Sequence, residues 1–169
     1  MRKLSDALKE LGVDFSFPIE IKDANGKETY YEDSEGFWRK YEYDTNSKET
    51  YYENSNDYWS RYEYDDNSNE TYFEDSNDFW YMYKYDANGN VTYYEDSNGY
   101  WNKREYDANG KETYYEDRYG YWYKREYDAN GKETYYENSY GRKQGTLRSQ
   151  SCDGKVIEVD GKKYKLTEL

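Results

Sequence analysis

The chain has 169 residues, no histidine, a single cysteine and a formal net charge of −13. Without imidazole there is no Ser/His or Cys/His nucleophile pair and no His-containing metal site, and with Cys152 alone no intramolecular disulfide forms. Leu, Ile, Val and Phe number only 18, which at this charge suits a disordered chain, but 27 Tyr and 5 Trp supply apolar area in large pieces and favour strands.

In chain order, residues 1–22 read as a cap. The opening MRKLSDALKE is charged throughout, and no apolar run is long enough for a signal peptide or a membrane span, so the expectation is a soluble, cytoplasmic protein. Ser5 is placed to cap a short helix, SDALKEL, with Leu4, Leu8 and Leu11 at helical spacing and Gly12 as its stop. Pro18, the only proline, leads into the first strand.

Residues 23–141 are a tandem array with a period of 21. Asp23, Asp44, Asp65, Asp86, Asp107 and Asp128 recur in step, and Trp38, Trp59, Trp80, Trp101 and Trp122 account for every Trp in the chain. An internal period of this length marks a supersecondary unit stacked on copies of itself. Each unit holds two strand-like runs, KETYYED and one around GYWYKREY, separated by two turn signals. Asp-x-Asn-Gly fits a type I turn closed by a residue in the left-handed region, and Asp-Ser-Asn-Gly is a second short polar loop. Strands so short, joined so tightly, are antiparallel neighbours. The expected fold is therefore all-β, an extended antiparallel ribbon of about six two-stranded units, ~55 Å long at ~4.8 Å per strand, with a helical N-terminal cap and a C-terminal hairpin.

The loop predicts a register. If Asp44 pairs with Lys48, then Glu42 opposes Thr50, Lys40 opposes Tyr52 and Trp38 lies near Asn54, while Tyr43 opposes Glu49, Tyr41 opposes Tyr51 and Arg39 opposes Glu53 on the other face. Both faces are then aromatic and charged, held by ring pairs and by cations over rings at roughly 0.2–1 kcal/mol each. Beyond the array, the sixth unit loses its Trp, residues 142–154 form a linker through Ser149 and Gly154, and residues 155–169 form a hairpin around Asp160-Gly161.

The stretch EYDANGK, with Tyr43-Asp44, Tyr64-Asp65, Tyr85-Asp86, Tyr106-Asp107 and Tyr127-Asp128 at a period of 21, resembles the YD repeat of the RHS family. The Lys-Glu-Thr after the turn departs from that family's usual Arg-Leu-Thr. The resemblance covers about two thirds of the chain and implies stacked antiparallel strands; six units are too few for the family's toxin-enclosing shell. MORN-type repeats, antitoxin-like repeats and the aromatic repeats of bacterial wall- and glucan-binding modules are also similar. The chain as a whole looks most like short repeat proteins of bacteriophages, which implies the cytoplasm of a bacterial host.

Asp23, Asn25 and Glu28 begin like a calcium loop, but no unit carries the full ligand pattern in register, and a hairpin turn explains the same residues. No catalytic residue, cofactor or metal is expected, because the polar groups recur in every unit as structure whereas an active site is singular. The chain is read as a binding protein. Residues 23–140 hold 29 acidic and 13 basic side chains, which excludes nucleic acid as a direct ligand. One carboxylate per ~1.9 Å of ribbon lies close to the ~1.7 Å per charge of duplex DNA, so the leading expectation is an acidic decoy for a protein with a basic nucleic-acid-binding groove: a nuclease, restriction enzyme or CRISPR effector. The alternatives are a carbohydrate- or wall-binding module using the aromatic columns and a spacer or interaction scaffold. Candidate contacts are Glu49, Glu53, Asp57, Trp59, Glu70, Glu74, Asp78 and Trp80, in units two and three, where Asp44 to Tyr85 holds 11 acidic and 3 basic residues and where Ser47, Ser68, Asp57 and Asp78 stand in place of turn glycines. Oligomeric state is not encoded in any motif.

Overall fold

A computed structural model describes residues 3–147, 156–159 and 162–165. One short helix, α1 (Leu4–Glu10), precedes β1 (Ile19–Lys22) and β2 (Glu28–Glu32). There follow β3 (Trp38–Tyr43), β4 (Glu49–Asn54), β5 (Trp59–Tyr64), β6 (Glu70–Asp75), β7 (Trp80–Tyr85), β8 (Val91–Asp96) and β9 (Trp101–Tyr106). The array ends with β10 (Glu112–Asp117), β11 (Trp122–Tyr127), β12 (Glu133–Asn138) and β13 (Lys143–Gly145), and β14 (Val156–Val159) pairs with β15 (Lys162–Lys165) in a separate two-stranded sheet. β1 to β13 follow one another in the sheet in chain order, an antiparallel meander of hairpins. The chain divides into two compact units, residues 1–103 and 104–169.

The loops are built by their first residue. Asp44 Oδ1 accepts backbone N–H bonds from Asn46 at 2.9 Å and Lys48 at 2.8 Å, while the Asp44 N–H donates to Lys48 O and Ser47 N–H returns to Asp44 O. Asp23, Asp65, Asp86, Asp107 and Asp128 repeat this at the first loop, and Asp33, Asp75, Asp96, Asp117 and Asn138 at the second. The fourth loop residue has positive φ throughout. In units two and three that residue is Ser47, Asp57, Ser68 or Asp78, at φ of 60–65°, and these are the non-glycine residues of positive φ among the described residues.

The register departs from expectation by one residue. Tyr43 opposes Glu49 as expected, but the ladder shifts there, so Glu42 opposes Tyr51, Tyr41 opposes Tyr52, Lys40 opposes Glu53 and Arg39 opposes Asn54. Thr50 is the extra residue of a β-bulge, which the first loop feeds directly. The same shift recurs at Glu63/Tyr64, Lys84/Tyr85 and Glu126/Tyr127. The bulge threonine is held in place by its hydroxyl, which donates to a carbonyl across the hairpin at Thr29, Thr92 and Thr134. A one-residue slip exchanges faces, so the bulge decides which side chains share a side.

Two faces result in each unit. One carries the tyrosine pairs Tyr41–Tyr52 and Tyr83–Tyr94 and the Tyr62–Phe73 pair, with ring centroids 5.0–5.2 Å apart. The other carries Trp38, Trp59, Trp80 and Trp101 opposite Glu32, Glu53, Glu74 and Glu95. In residues 104–169 the tyrosine-face column changes chemistry: Arg104 and Arg125 take the Tyr41 position and lay guanidinium groups over Tyr115 and Tyr136, 5.7 Å from each centroid. Neighbouring hairpins are laced at both edges. Phenols of Tyr43, Tyr64, Tyr85 and Tyr127 donate to the carbonyls of Glu28, Glu49, Glu70 and Glu112 at 2.7–3.1 Å. At the other edge Ser55, Ser76, Ser97 and Ser139 donate backbone N–H bonds to Trp38, Trp59, Trp80 and Trp122.

The ends also differ from the sequence reading. Ser5 does not cap α1; the N-cap is Lys3, without a side-chain bond. Ser5 is buried within the first turn, where its N–H and hydroxyl both donate to the buried Glu32 carboxylate, at 3.0 and 2.5 Å, and Tyr30 donates to the same group at 2.9 Å. This pins α1 onto the tryptophan face at Tyr30 and Glu32. Gly12 ends the helical segment at φ 68°. The stretch expected as a linker from residue 142 opens with β13, which pairs with β12; the remainder of that linker with Ser149, Cys152 and Gly154, and the Asp160-Gly161 turn of the C-terminal hairpin, lie outside the described residues.

A non-glycine residue in the left-handed region carries a steric cost of about 1 kcal/mol, partly offset by glycine's greater chain entropy when unfolded. Ser47→Gly and Ser68→Gly are each expected to stabilise the array by about 0.5–1 kcal/mol and Gly89→Ser to destabilise it similarly, read as shifts in urea midpoint at constant m-value.

Candidate functional site

The eight candidate residues lie on three surfaces. Glu49 and Glu70 are on the tyrosine face, Glu53, Glu74, Trp59 and Trp80 on the tryptophan face, and Asp57 and Asp78 at the tips of the second loops. The structure brings Trp59 together with Glu53, and Trp80 with Glu74, as directly opposed cross-strand pairs. It does not assemble all eight into one patch.

Most face carboxylates already have partners. Glu74 receives the Arg61 guanidinium at 3.2 Å, and Glu70 accepts the Tyr81 phenol at 2.6 Å. Glu49 is half-buried, and burial pushes its carboxyl pKa up against the pull of Lys27. Outside the candidate set the pattern repeats: Arg39 grips Glu28 through Nε and a terminal nitrogen at 2.6 and 3.0 Å, Tyr94 donates to Asp96, and Tyr123 donates to Glu112. Asp57 and Asp78, by contrast, are exposed, as is Asp66 in a first loop, while the exposed Glu63 lies on the tryptophan face 3.9 Å from Arg61. The uncompensated charge of units two and three is therefore concentrated toward the loop tips, while the faces are internally matched.

The tryptophan face has a recurring groove. In residues 1–103 it is lined by Lys40, Glu42, Thr50, Tyr51, Glu53 and Arg61, and in residues 104–169 Glu105, Thr113, Tyr114 and Lys124, at the positions of Glu42, Thr50, Tyr51 and Arg61, line another together with Glu126. Lys40 lies over the Tyr51 ring and Lys124 over that of Tyr114, 5.6 and 5.9 Å from the centroids. Among the described residues no group of three or more His, Cys, Asp or Glu side chains is arranged to hold a metal ion, and no helix is long and apolar enough to cross a membrane.

The sequence reading missed the phenol–carboxylate pairs. The bulge is what brings Tyr81 beside Glu70, eleven positions back on the neighbouring strand, and an unbulged register places them on opposite faces. The local signal was available in Tyr-x-Glu and Tyr-x-Asp, since Tyr93, Tyr94, Tyr114 and Tyr135 each donate to the acid two residues on along their own strand.

No family model matches this sequence, and no curated protein matches it. Solved structures do. A Photorhabdus luminescens Tc holotoxin pore carrying a mutant TccC3 is similar at 16% identity and a TM-score of 0.42, covering 72% of this chain and 9% of that one. A TcdB2–TccC3–Cdc42 structure is similar at 15% identity and the same TM-score, with the same shares covered. A TcdB2–TccC3–TEV structure is similar at 14% identity and a TM-score of 0.42, covering 82% of this chain and 10% of that one. The chain thus spans about a tenth of the length of these matches. Its own consecutive hairpins make it a tyrosine-rich β-repeat protein.

Two pH dependences follow from the buried pairs. Burial raises the phenol pKa of Tyr64 and Tyr94 from 10.0 to about 12, with Glu70 and Asp96 respectively adding to the rise. A raised pKa means stability that is complete below pH 10 and lost as the pH climbs toward 12. The urea midpoint is expected to fall across that interval, with tyrosinate absorbance appearing together with loss of strand signal. For Glu32, burial pushes the carboxyl up, but the Ser5 and Tyr30 hydrogen bonds outweigh it and hold the pKa below the ordinary 4.5. Its contribution is present above that value and lost as the pH falls through the depressed one. Ser5→Ala is expected to cost about 1.5–3 kcal/mol, as for hydrogen bonds to a charged group, and to move acid unfolding of the N-terminal end upward in pH. Hydrogen exchange of residues 4–32 measures this.

Proposed function

We propose that this chain is a non-catalytic binding protein of bacteriophage type, and that it acts in the bacterial cytoplasm as an acidic decoy for the basic groove of a nuclease, restriction enzyme or CRISPR effector. The observation that supports this reading most directly is the placement of charge in units two and three. Their face carboxylates are largely engaged by Arg61, Tyr81 and their counterparts, whereas Asp57, Asp66 and Asp78 are exposed at loop tips of fixed conformation. Successive equivalent loops are two strands apart, ~9.6 Å along the sheet, so Asp57 and Asp78 present a repeated charge. Fixed carboxylates at a regular spacing favour a cationic groove through long-range attraction and cost little ordering when bound.

A second reading rests on a different observation, the groove that recurs on the tryptophan face with Thr, Tyr, Glu and a cation at equivalent positions. Rings flanked by hydrogen-bonding side chains suit a carbohydrate, each ring offering an apolar face and each carboxylate accepting hydroxyl protons. The two readings separate by salt and by residue. The decoy loses affinity steeply as salt rises, because charges are screened within ~8–10 Å near physiological ionic strength, and loses it again in Asp57→Lys with Asp78→Lys. A glycan binder tolerates both changes and fails with Tyr51→Ala, which removes the ring that lines the groove.

The test is a pull-down from lysates of several bacterial hosts at low and high salt, with the double Lys variant alongside. The decoy account expects a basic, nucleic-acid-handling protein that is retained at low salt, released at high salt and absent with the variant. Recovery of no such protein from any lysate at low salt contradicts it.

A further inference from the structure

We propose that Tyr121 and Tyr140 form an oxidative coupling site, at which a one-electron oxidant such as the ferryl haem of a peroxidase joins the two rings as dityrosine. Tyr140 sits at the third position of the second loop in unit six. The corresponding residues are Glu35, Asn56, Asn77 and Asn98 in the first four units and Tyr119 in the fifth. Asn suits this turn position and an exposed aromatic ring does not, and at 82% exposure Tyr140 contributes little burial to the fold. What its ring does contact is Tyr121, with centroids 5.4 Å apart and planes tilted by 32°.

The surroundings favour ring oxidation there. The Tyr121 and Tyr136 hydroxyls lie 3.5 Å apart, and Asn138 donates to the Tyr136 hydroxyl at 3.0 Å. The guanidinium groups of Arg125 and Arg142 lie 5.7 and 5.5 Å from the Tyr136 ring centroid. Hydrogen bonding from Tyr121, then from Asn138, and the two cations outweigh burial and hold the Tyr136 phenol below its ordinary pKa. The Asn138 amide and the two cations beside Tyr136 favour loss of its proton as the electron leaves, so Tyr136 is a ready first donor, and a radical formed on it is passed on when Tyr121 gives one electron and its hydroxyl proton to the Tyr136 oxygen.

The chemistry balances with hydrogen peroxide as the terminal oxidant. Each of two phenols loses one electron and one proton, and the peroxide is reduced to two waters. The two phenoxyl radicals join through a new bond between their ortho carbons, and each ortho hydrogen then moves to its oxygen to restore the aromatic ring. The link ties the last described loop of the array to the approach of β11, at the end where Lys143 stands in the place of the Trp that closes the earlier units. Tyr140 is on an exposed loop, so its ring can close the remaining gap without moving the sheet.

The experiment uses the full chain at micromolar concentration with horseradish peroxidase and less than one equivalent of peroxide, followed by proteolysis and mass mapping. Rings held side by side act as if at mM concentration or above, about 10³ over the bulk, so the product expected is a monomer lighter by two hydrogens with Tyr121 and Tyr140 linked. Tyr119→Phe should retain that product. Tyr140→Phe should remove it while leaving the strand signal and urea midpoint unchanged, and Arg142→Gln should slow its formation. Linkage that persists unchanged in Tyr140→Phe, linkage mapped elsewhere, or intermolecular dimers as the main product on dilution would each overturn the proposal.

Discussion

The structure depends on one local interaction, the Asp or Asn side-chain oxygen that accepts two backbone N–H groups at the head of nearly every loop. In Asp44 these donors are Asn46 and Lys48, two and four residues on, and the same pair of bonds recurs at the other loops except at Asn54, whose oxygen accepts from Asn56. That oxygen takes up N–H groups that a three-residue turn leaves without strand partners, and leaving them unpaired would cost about 1–3 kcal/mol per group if buried. It also fixes where the chain turns. The bulge that follows the first loop then sets the register, and the register places a tyrosine opposite a tyrosine and a tryptophan opposite a glutamate at each step.

An array without an aliphatic core has to draw cohesion from terms that are small singly. Ring pairs, cations over rings and phenol–carboxylate bonds contribute roughly 0.2–1 kcal/mol each at such partly exposed sites. Repetition makes them sufficient, because every hairpin meets its neighbour through the same set. Few side chains are fully buried: among the described residues Tyr30, Trp38 and Tyr135 are the buried apolar ones, and Tyr30 and Trp38 lie on the face that α1 docks against. Lacing at both loop edges, by phenols on one side and serine N–H groups on the other, compensates for the thin core. The same economy leaves the acidic loop tips as the unmatched part of the surface, and this is why the functional reading rests on them.

Much of this was legible in the sequence and part was not. Period, strand count, antiparallel order and turn positions follow from Asp, Gly and Trp spacing alone, and Asp44–Lys48 closure was readable from Asp-Thr-Asn-Ser between two strand-like runs. The bulge at Thr50 was not, since Thr is an ordinary strand residue and its role appears only when its hydroxyl meets a carbonyl across the hairpin, as Thr29 does with Ile21. That omission displaced Tyr51 and Tyr52 to the wrong faces and hid the Tyr81–Glu70 pair. Ser5 illustrates the same limit: beside a helix start it reads as a cap whose oxygen accepts an N–H, but its hydroxyl donates instead to the charged carboxylate of Glu32, 27 residues away, a stronger partner than a backbone N–H at N3. Of the candidate residues, Asp57 and Asp78 are legible as departures from glycine and sit at positive φ, while the partners that engage Glu70 and Glu74 become visible only with the register.

Period and register make a joint claim that a pair of deletions tests directly. Removing residues 86–106 brings Asp107 to the place of Asp86 and keeps strand direction, loop chemistry and bulge in step; removing only residues 86–95 joins the end of β7 to the head of a second loop and reverses the faces that follow. Urea unfolding monitored by strand circular dichroism should show a single cooperative transition with a native-like m-value per residue for the 21-residue deletion, and a low, broad transition for the ten-residue deletion. Equal cooperativity and equal midpoints for the two would contradict the account, because the fold would then owe nothing to the repeat that its register is built on.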